Sequence, residues 1–190
     1  MPMIGSQVRA FARALTALLA LGAMFAAVPA RAADTSQCPG STAVPTARTV
    51  DDATDQVVCL INAERTDRGL RPLRGDGDLK RAAHRHSADM VRRTYFSHVT
   101  PGGSDLGDRI RAVGYGSGHG WRAGEALGWG TGTRATPAAL IDEWLASPPH
   151  RHILLDPGYR ELGVGVVTGA PNGAESLTGA TYTVDVGVVH

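Results

Sequence analysis

Three side chains stand where their types and neighbours could do chemistry. His98 lies in Tyr95-Phe96-Ser97-His98-Val99-Thr100-Pro101-Gly102-Gly103, a stretch that can present an imidazole to a cleft from a loop. Glu125 lies in Trp121-Arg122-Ala123-Gly124-Glu125-Ala126-Leu127-Gly128, a carboxylate in a small and apolar setting. Burying it unpaired is costly, so it requires a partner: Arg122, a histidine or a metal ion. His150 follows Ser147-Pro148-Pro149 and falls in the first turn of an expected helix. There the positive helix end disfavours imidazolium and favours the neutral ring that metals bind. The same residues also read as two hydrogen-bonded loop histidines and an Arg122–Glu125 ion pair, because spacing in sequence does not give proximity in space. His86 differs: helical spacing turns it inward, as a hydrogen-bonded core histidine.

The elements that must position these residues are legible as hydrophobic periods and breakers. Val57, Leu60 and Ile61 fix a first helix over about 52–68, closed by Gly69. A turn at Arg71-Pro72 and Gly75-Asp76-Gly77 precedes a second helix, capped by Asp78, with Leu79, Ala83, His86 and Met90 inward and an end near Thr94. Ser104 or Asp105 caps a third, which buries Leu106, Ile110 and Val113 and stops at Gly114. The glycine-rich stretch 114–132 reads as a loop leading into a strand. Thr136-Pro137 starts a helix carrying Leu140, Ile141, Trp144 and Leu145, and Ser147-Pro148-Pro149 opens a short one through Leu155. Leu162–Thr168 and Thr181–Val189 alternate with β-branched residues around Pro171-Asn172-Gly173, as antiparallel strands. Helices first and paired strands last give an α+β domain.

Composition narrows the class further. The 190 residues, 43% hydrophobic and 19% charged, make one domain with an appendage. That appendage is 1–33, read as an export signal: Arg9 and Arg13, an apolar run over 14–28 too short to span a bilayer, then Ala30-Arg31-Ala32 before cleavage. Residues 34–50 read as a flexible leader and 51–190 as the domain. Removing the signal takes three of the 19 basic residues and none of the 18 acidic ones, leaving a net charge of −2 and no transmembrane span. Such a balance, without a zinc-finger or RNA-binding motif, argues against a nucleic-acid partner. Arg81, Arg85 and Arg92 follow helical spacing as a solvated face. Export would bring Cys38 and Cys59 into an oxidising compartment, where an even count fits one disulfide. No G-x-S-x-G, H-E-x-x-H, G-x-G-x-x-G or P-loop pattern occurs, which disfavours common serine hydrolases, zinc-helix proteases and nucleotide enzymes.

Several short segments follow one another in an order that carries a resemblance. They are Leu60-Ile61-Asn62-Ala63-Glu64-Arg65, Gly69-Leu70-Arg71-Pro72-Leu73, His86-Ser87-Ala88-Asp89-Met90, Phe96-Ser97-His98, Asp108-Arg109-Ile110, Ala112-Val113-Gly114-Tyr115, Gly124-Glu125, Trp144, Ser147-Pro148-Pro149-His150-Arg151 and Gly163-Val164-Gly165-Val166. Over nearly all of 56–189 the chain resembles the bacterial branch of the CAP superfamily, named for cysteine-rich secretory proteins, antigen 5 and plant pathogenesis-related proteins. The resemblance implies a three-layer α/β/α sandwich with a central, mostly antiparallel sheet. It implies a cleft of two histidines and two glutamates that binds a divalent ion, often zinc, in some members. His98 matches the first histidine, Glu125 the glutamate of the Gly-Glu-Asn motif and His150 the second histidine, and two imidazoles with a carboxylate and water suit zinc. The second glutamate falls near Ser147, with Asp142 and Glu143 one turn earlier. Ala126 and Ile153 replace asparagines that would orient the ligands, which lowers the expected affinity.

The resemblance implies an exported binding module, retained in the envelope or released, that holds a divalent metal or a lipid-like ligand. The competing expectation is a zinc-assisted hydrolase, with His98 and His150 on the metal and Glu125 as ligand or general base.

Overall fold

The computed structural model describes residues 34–173 and 178–190, so the expected export segment lies outside the described residues. Five helices, α1 (Val50–Asp67), α2 (Gly77–Arg92), α3 (Leu106–Ala112), α4 (Pro137–Ala146) and α5 (Pro148–Leu155), enclose a sheet of β1 (Arg74–Gly75), β2 (Trp121–Thr131), β3 (Glu161–Thr168) and β4 (Gly179–Val189). The strand order is β1-β3-β4-β2; only the β1–β3 pair is parallel, so the sheet is mostly antiparallel as expected.

Three of the helices start where a side chain satisfies free N–H groups. Asp76, rather than the expected Asp78, caps α2 by accepting from Asp78 N and Leu79 N. Asp105 caps α3 in a reciprocal pair with Asp108, and Thr136 caps α4 ahead of Pro137. One strand differs from the expectation: β1 is two residues long, too short to leave a periodic signal, and sits inside the expected turn. The glycine-rich stretch is, as expected, a loop leading into a strand, β2. The strand's own glycines mark close packing: a Cβ at Gly128 would run into Leu140 and Trp144 of α4.

Strand alternation divides the sheet into two unlike faces. Tyr182, Val184 and Val186 of β4 join Leu162, Val164 and Val166 of β3 in an apolar core with α1, α4 and α5, centred on Leu60, Ile61, Leu140, Ile141 and Trp144. The opposite face carries Thr183 and Asp185 beside Gly165 and Gly163, and α2 lies directly on it. A Cβ at Gly163 would fall on the backbone of Leu79 and Lys80, and one at Gly165 on that of Ala83 and His84. The contact is sealed by Ser87, whose Oγ donates to Gly165 O at 3.0 Å and lies 2.8 Å from Thr183 Oγ1.

The segment ahead of α1 is held at two points. Cys38 and Cys59 form a disulfide with Cα atoms 5.9 Å apart, and Ser41 O accepts from Ala138 N of α4 at 2.9 Å. Two outcomes follow. Gly165→Ala must lift α2 off the sheet and is expected to lose about 1–3 kcal/mol or more in denaturant unfolding, whereas Gly75→Ala, with open space around it, changes little. Replacing both cysteines with alanine is expected to lose about 3 kcal/mol, the loop-closure value for a bridge of this span, read as a lower unfolding midpoint.

Candidate functional site

The site is built on the α2 face of the sheet. Glu125, in the middle of β2, points toward α2 and is 5% exposed. Its carboxylate is fully engaged. His98 donates from Nδ1 to Oε1 at 2.6 Å, and Arg109 of α3 donates from Nη2 to Oε2 at 2.5 Å. Arg122, the partner offered by the sequence, faces elsewhere and pairs with Asp156 at 2.7 Å. The expected histidine partner is therefore found, and Arg109 joins it. Burial pushes the Glu125 carboxyl upward, but the His98 hydrogen bond and the charges of Arg109 and His86 outweigh it, so its pKa lies below the ordinary value. Glu125 is thus an anion with each oxygen held by a charged or imidazole donor.

His98 sits on the loop after α2, its side chain 58% exposed, with Nε2 free of protein partners among the described residues. Arg109 also donates from Nη1 to His98 O at 2.8 Å, so one guanidinium fixes both the loop and the carboxylate behind it. His150, in the first turn of α5, is half-buried, and Ser147 Oγ lies 3.0 Å from its Nδ1. Burial lowers its pKa first, and the nearby charge of His98 lowers it further, against Glu143, which raises it. The structure therefore brings His98 and Glu125 into contact and sets His150 within electrostatic reach of His98. Phe96 and Val99, flanking His98, are exposed apolar side chains. Among the described residues, no group of three or more His, Cys, Asp or Glu side chains is arranged to hold a metal ion.

Behind the cleft lies a buried polar layer. His86, 1% exposed, is the expected core histidine: Nε2 donates to Ser97 O at 3.0 Å and lies 3.9 Å from Glu125 Oε2. Burial lowers its pKa, more than Glu125 raises it. Asp185 pairs with Glu125 across the β2–β4 ladder and is 0% exposed, and neither carboxyl oxygen has a hydrogen-bond partner among the described residues. Burial, reinforced by Glu125, raises its pKa well above the ordinary carboxylate range. Sequence reasoning missed Arg109 and Asp185 as parts of the site. The signal for Asp185 was a lone charge in the β-branched run Thr181–Val189; for Arg109 it was a cation one helical turn from Leu106, on the flank of the inner face.

The fold and these residues are those of a CAP domain, and the chain belongs to the Cysteine-rich secretory protein family, whose sequence profile matches residues 58–185. It is 35% identical over 112 residues to the uncharacterized protein YkwD of Bacillus subtilis (strain 168), covering 59% of this chain and 41% of that one. It is also 35% identical over 113 residues to the uncharacterized membrane protein YlbC of the same strain, covering 58% and 30%. The chain thus spans less than half the length of either relative. An extracellular protein containing a SCP domain from Bacillus anthracis str. Ames superposes with a TM-score of 0.60 at 28% identity, over 75% of this chain and 43% of that one. An outer surface protein from Borrelia burgdorferi shares the fold, with a TM-score of 0.62 at 17% identity over 74% and 96%. No helix among the described residues is long and apolar enough to cross a membrane.

The opposed shifts predict a pH signature. A carboxyl whose folded pKa is raised stabilises the fold below its unfolded value, about 3.9, and that contribution is lost as pH rises through the folded value. Asp185→Asn removes the loss. The variant is expected to gain on the native chain as pH rises, by at least about 1 kcal/mol near pH 7, in thermal unfolding followed by circular dichroism. His86 acts oppositely: its contribution is full above about 6.5 and lost as pH falls through its lower folded value. It is common to both chains and cancels in the difference.

Proposed function

We propose that this chain is an extracytoplasmic binding module and not a hydrolase, with the cleft of His98, Glu125 and His150 as its ligand site. The observation that carries the reading is the state of Glu125. Each oxygen already accepts a hydrogen bond, from His98 or from Arg109, and the side chain is 3% exposed, so it is not free to take a proton from a substrate water. A general base would need that freedom. Ser147 supplies no carboxylate, and its hydroxyl is turned onto His150. The disulfide and the extracellular character of the Bacillus anthracis neighbour support the location, together with the signal-like start of the sequence.

The three-ligand zinc set does not fit, because Glu125 is committed. What fits a divalent cation is a pair of imidazoles, His98 and His150, with Glu125 fixing the His98 ring through Nδ1, as carboxylates do behind metal-binding histidines. The low pKa of His150 keeps its ring neutral and free to bind. A zinc ion so held would be a docking point for ligand oxygens, with Phe96 and Val99 accepting an apolar, lipid-like portion. Calorimetric titration of zinc into the metal-stripped chain is expected to give one site, lost in His98→Ala/His150→Ala. Glu125→Gln should weaken it about 10–100-fold while leaving it measurable. Turnover of ester or peptide substrates that vanishes in Glu125→Gln would overturn the module reading, and silence in the titration would remove the metal from it.

A further inference from the structure

The two outer strands of the sheet end it in different ways. In the order β1-β3-β4-β2 they are β1, two residues long, and β2, eleven. A long open edge invites pairing with another chain, and proteins usually blunt it with brevity, proline, lysine or a bulge. β1 is blunted by its brevity. β2 holds no proline and no lysine, its register with β4 runs unbroken, and the charge of Arg122 is taken up by Asp156.

Alternation decides which backbone groups of β2 face outward. His190 N donates to Gly120 O at 2.8 Å and Gly132 N to Thr178 O at 3.1 Å, at either end of the β2–β4 ladder. The even-numbered residues between them therefore bond to β4, and the odd-numbered ones turn their N–H and C=O groups away from it. Leu127 O agrees with this parity, since it accepts from the Trp144 indole at 2.8 Å. The outward groups of Trp121, Ala123 and Glu125 have no partner among the described residues. This stretch can be reached: Trp121, Ala123 and Gly124 are half-buried and Arg122 is exposed. Tyr159 and Ile153 cover the face of Gly124, so what it exposes is its edge.

We propose that the outer edge of β2 from Trp121 to Glu125 is a docking site for an extended polypeptide segment, which adds a further strand to the sheet. Its donors and acceptors recur every two residues, roughly 7 Å, which is the repeat of another extended backbone and not of a lipid or a metal ion. The segment is short, because Trp144 closes the run at Leu127. Where the edge enters the cleft it is flanked by His98 on one side and by α5 with His150 on the other. Such flanks suit a single added strand better than a second copy that brings flanks of its own. The inference needs neither zinc nor a lipid-like ligand in the cleft.

The probe is acetyl-Lys-Thr-Val-Thr-Val-Thr-Lys-amide, added at millimolar concentration to the 15N-labelled chain and followed by NMR. Expected are larger shifts at the outward amides of Trp121, Ala123 and Glu125 than at those of Arg122 and Gly124, which already bond to β4. Affinity is expected to fall about tenfold or more for the same peptide N-methylated at two successive central residues, which blocks both of its edges. Ala123→Pro removes an outward N–H and no bond to β4, so it should abolish binding while circular dichroism stays native. If that variant does not fold, the N-methylated peptide decides. His98→Ala/His150→Ala should keep the binding. The proposal is overturned by an absence of shifts, by equal binding of the N-methylated peptide, by binding to a folded Ala123→Pro, by octanoate moving the same amides as far, or by loss of binding in the double histidine variant. It is overturned as well if the outward amides gain exchange protection with rising chain concentration and no peptide, which would assign the edge to a second copy.

Discussion

The whole arrangement depends on how closely α2 lies on β3. Two glycines, Gly163 and Gly165, let the helix backbone rest on the strand with no side chain between them. Around those contacts α2 and the sheet also enclose Leu79, Ile110 and Tyr115, which form a small apolar cluster at one end. Beside it the layer holds His86, Ser87, Thr183, Glu125 and Asp185, all buried. The large aliphatic and aromatic side chains collect on the other face, around Trp144 and Tyr182. The larger core therefore lies on one face of the sheet, and the buried polar groups are concentrated on the other.

Within the polar layer, neighbouring carboxyls have opposite fates. Glu125 meets Arg109 and His98 and is held below the ordinary carboxylate range; Asp185, directly across the ladder and fully buried, is held well above it. A pair of acids held apart in this way avoids placing two negative charges in one dry pocket. Arg109 is the hinge of the arrangement, since it neutralises the carboxylate and ties down the loop bearing His98. The imidazole is then oriented from behind rather than by any ligand in front.

Much of this was legible in the sequence. The helices announced themselves through apolar spacing and their end residues, and His98, Glu125 and His150 through the company they keep. The errors have physical reasons. Asp76 and Asp78 are both able to cap, and only the path of the chain decides between them. The two-residue β1 left no period to read, and it exists only because β3 offers it an edge. Nearness in sequence offered Arg122 as a partner for Glu125. Yet side chains three apart on a strand point to opposite faces, so the pairing was excluded by the alternation that predicts strands.

The disulfide leads to a point about timing. It fastens the stretch around Cys38 to α1, and Ser41 from that stretch supplies an acceptor to the start of α4. A chain still in a reducing compartment lacks the covalent fastening, and forgoes a share of stability that is large beside the roughly 5–15 kcal/mol typical of a domain. The reduced polypeptide is accordingly easier to keep unfolded than the oxidised one. Oxidation then works as a ratchet, converting a loosely held chain into one that does not readily unfold again.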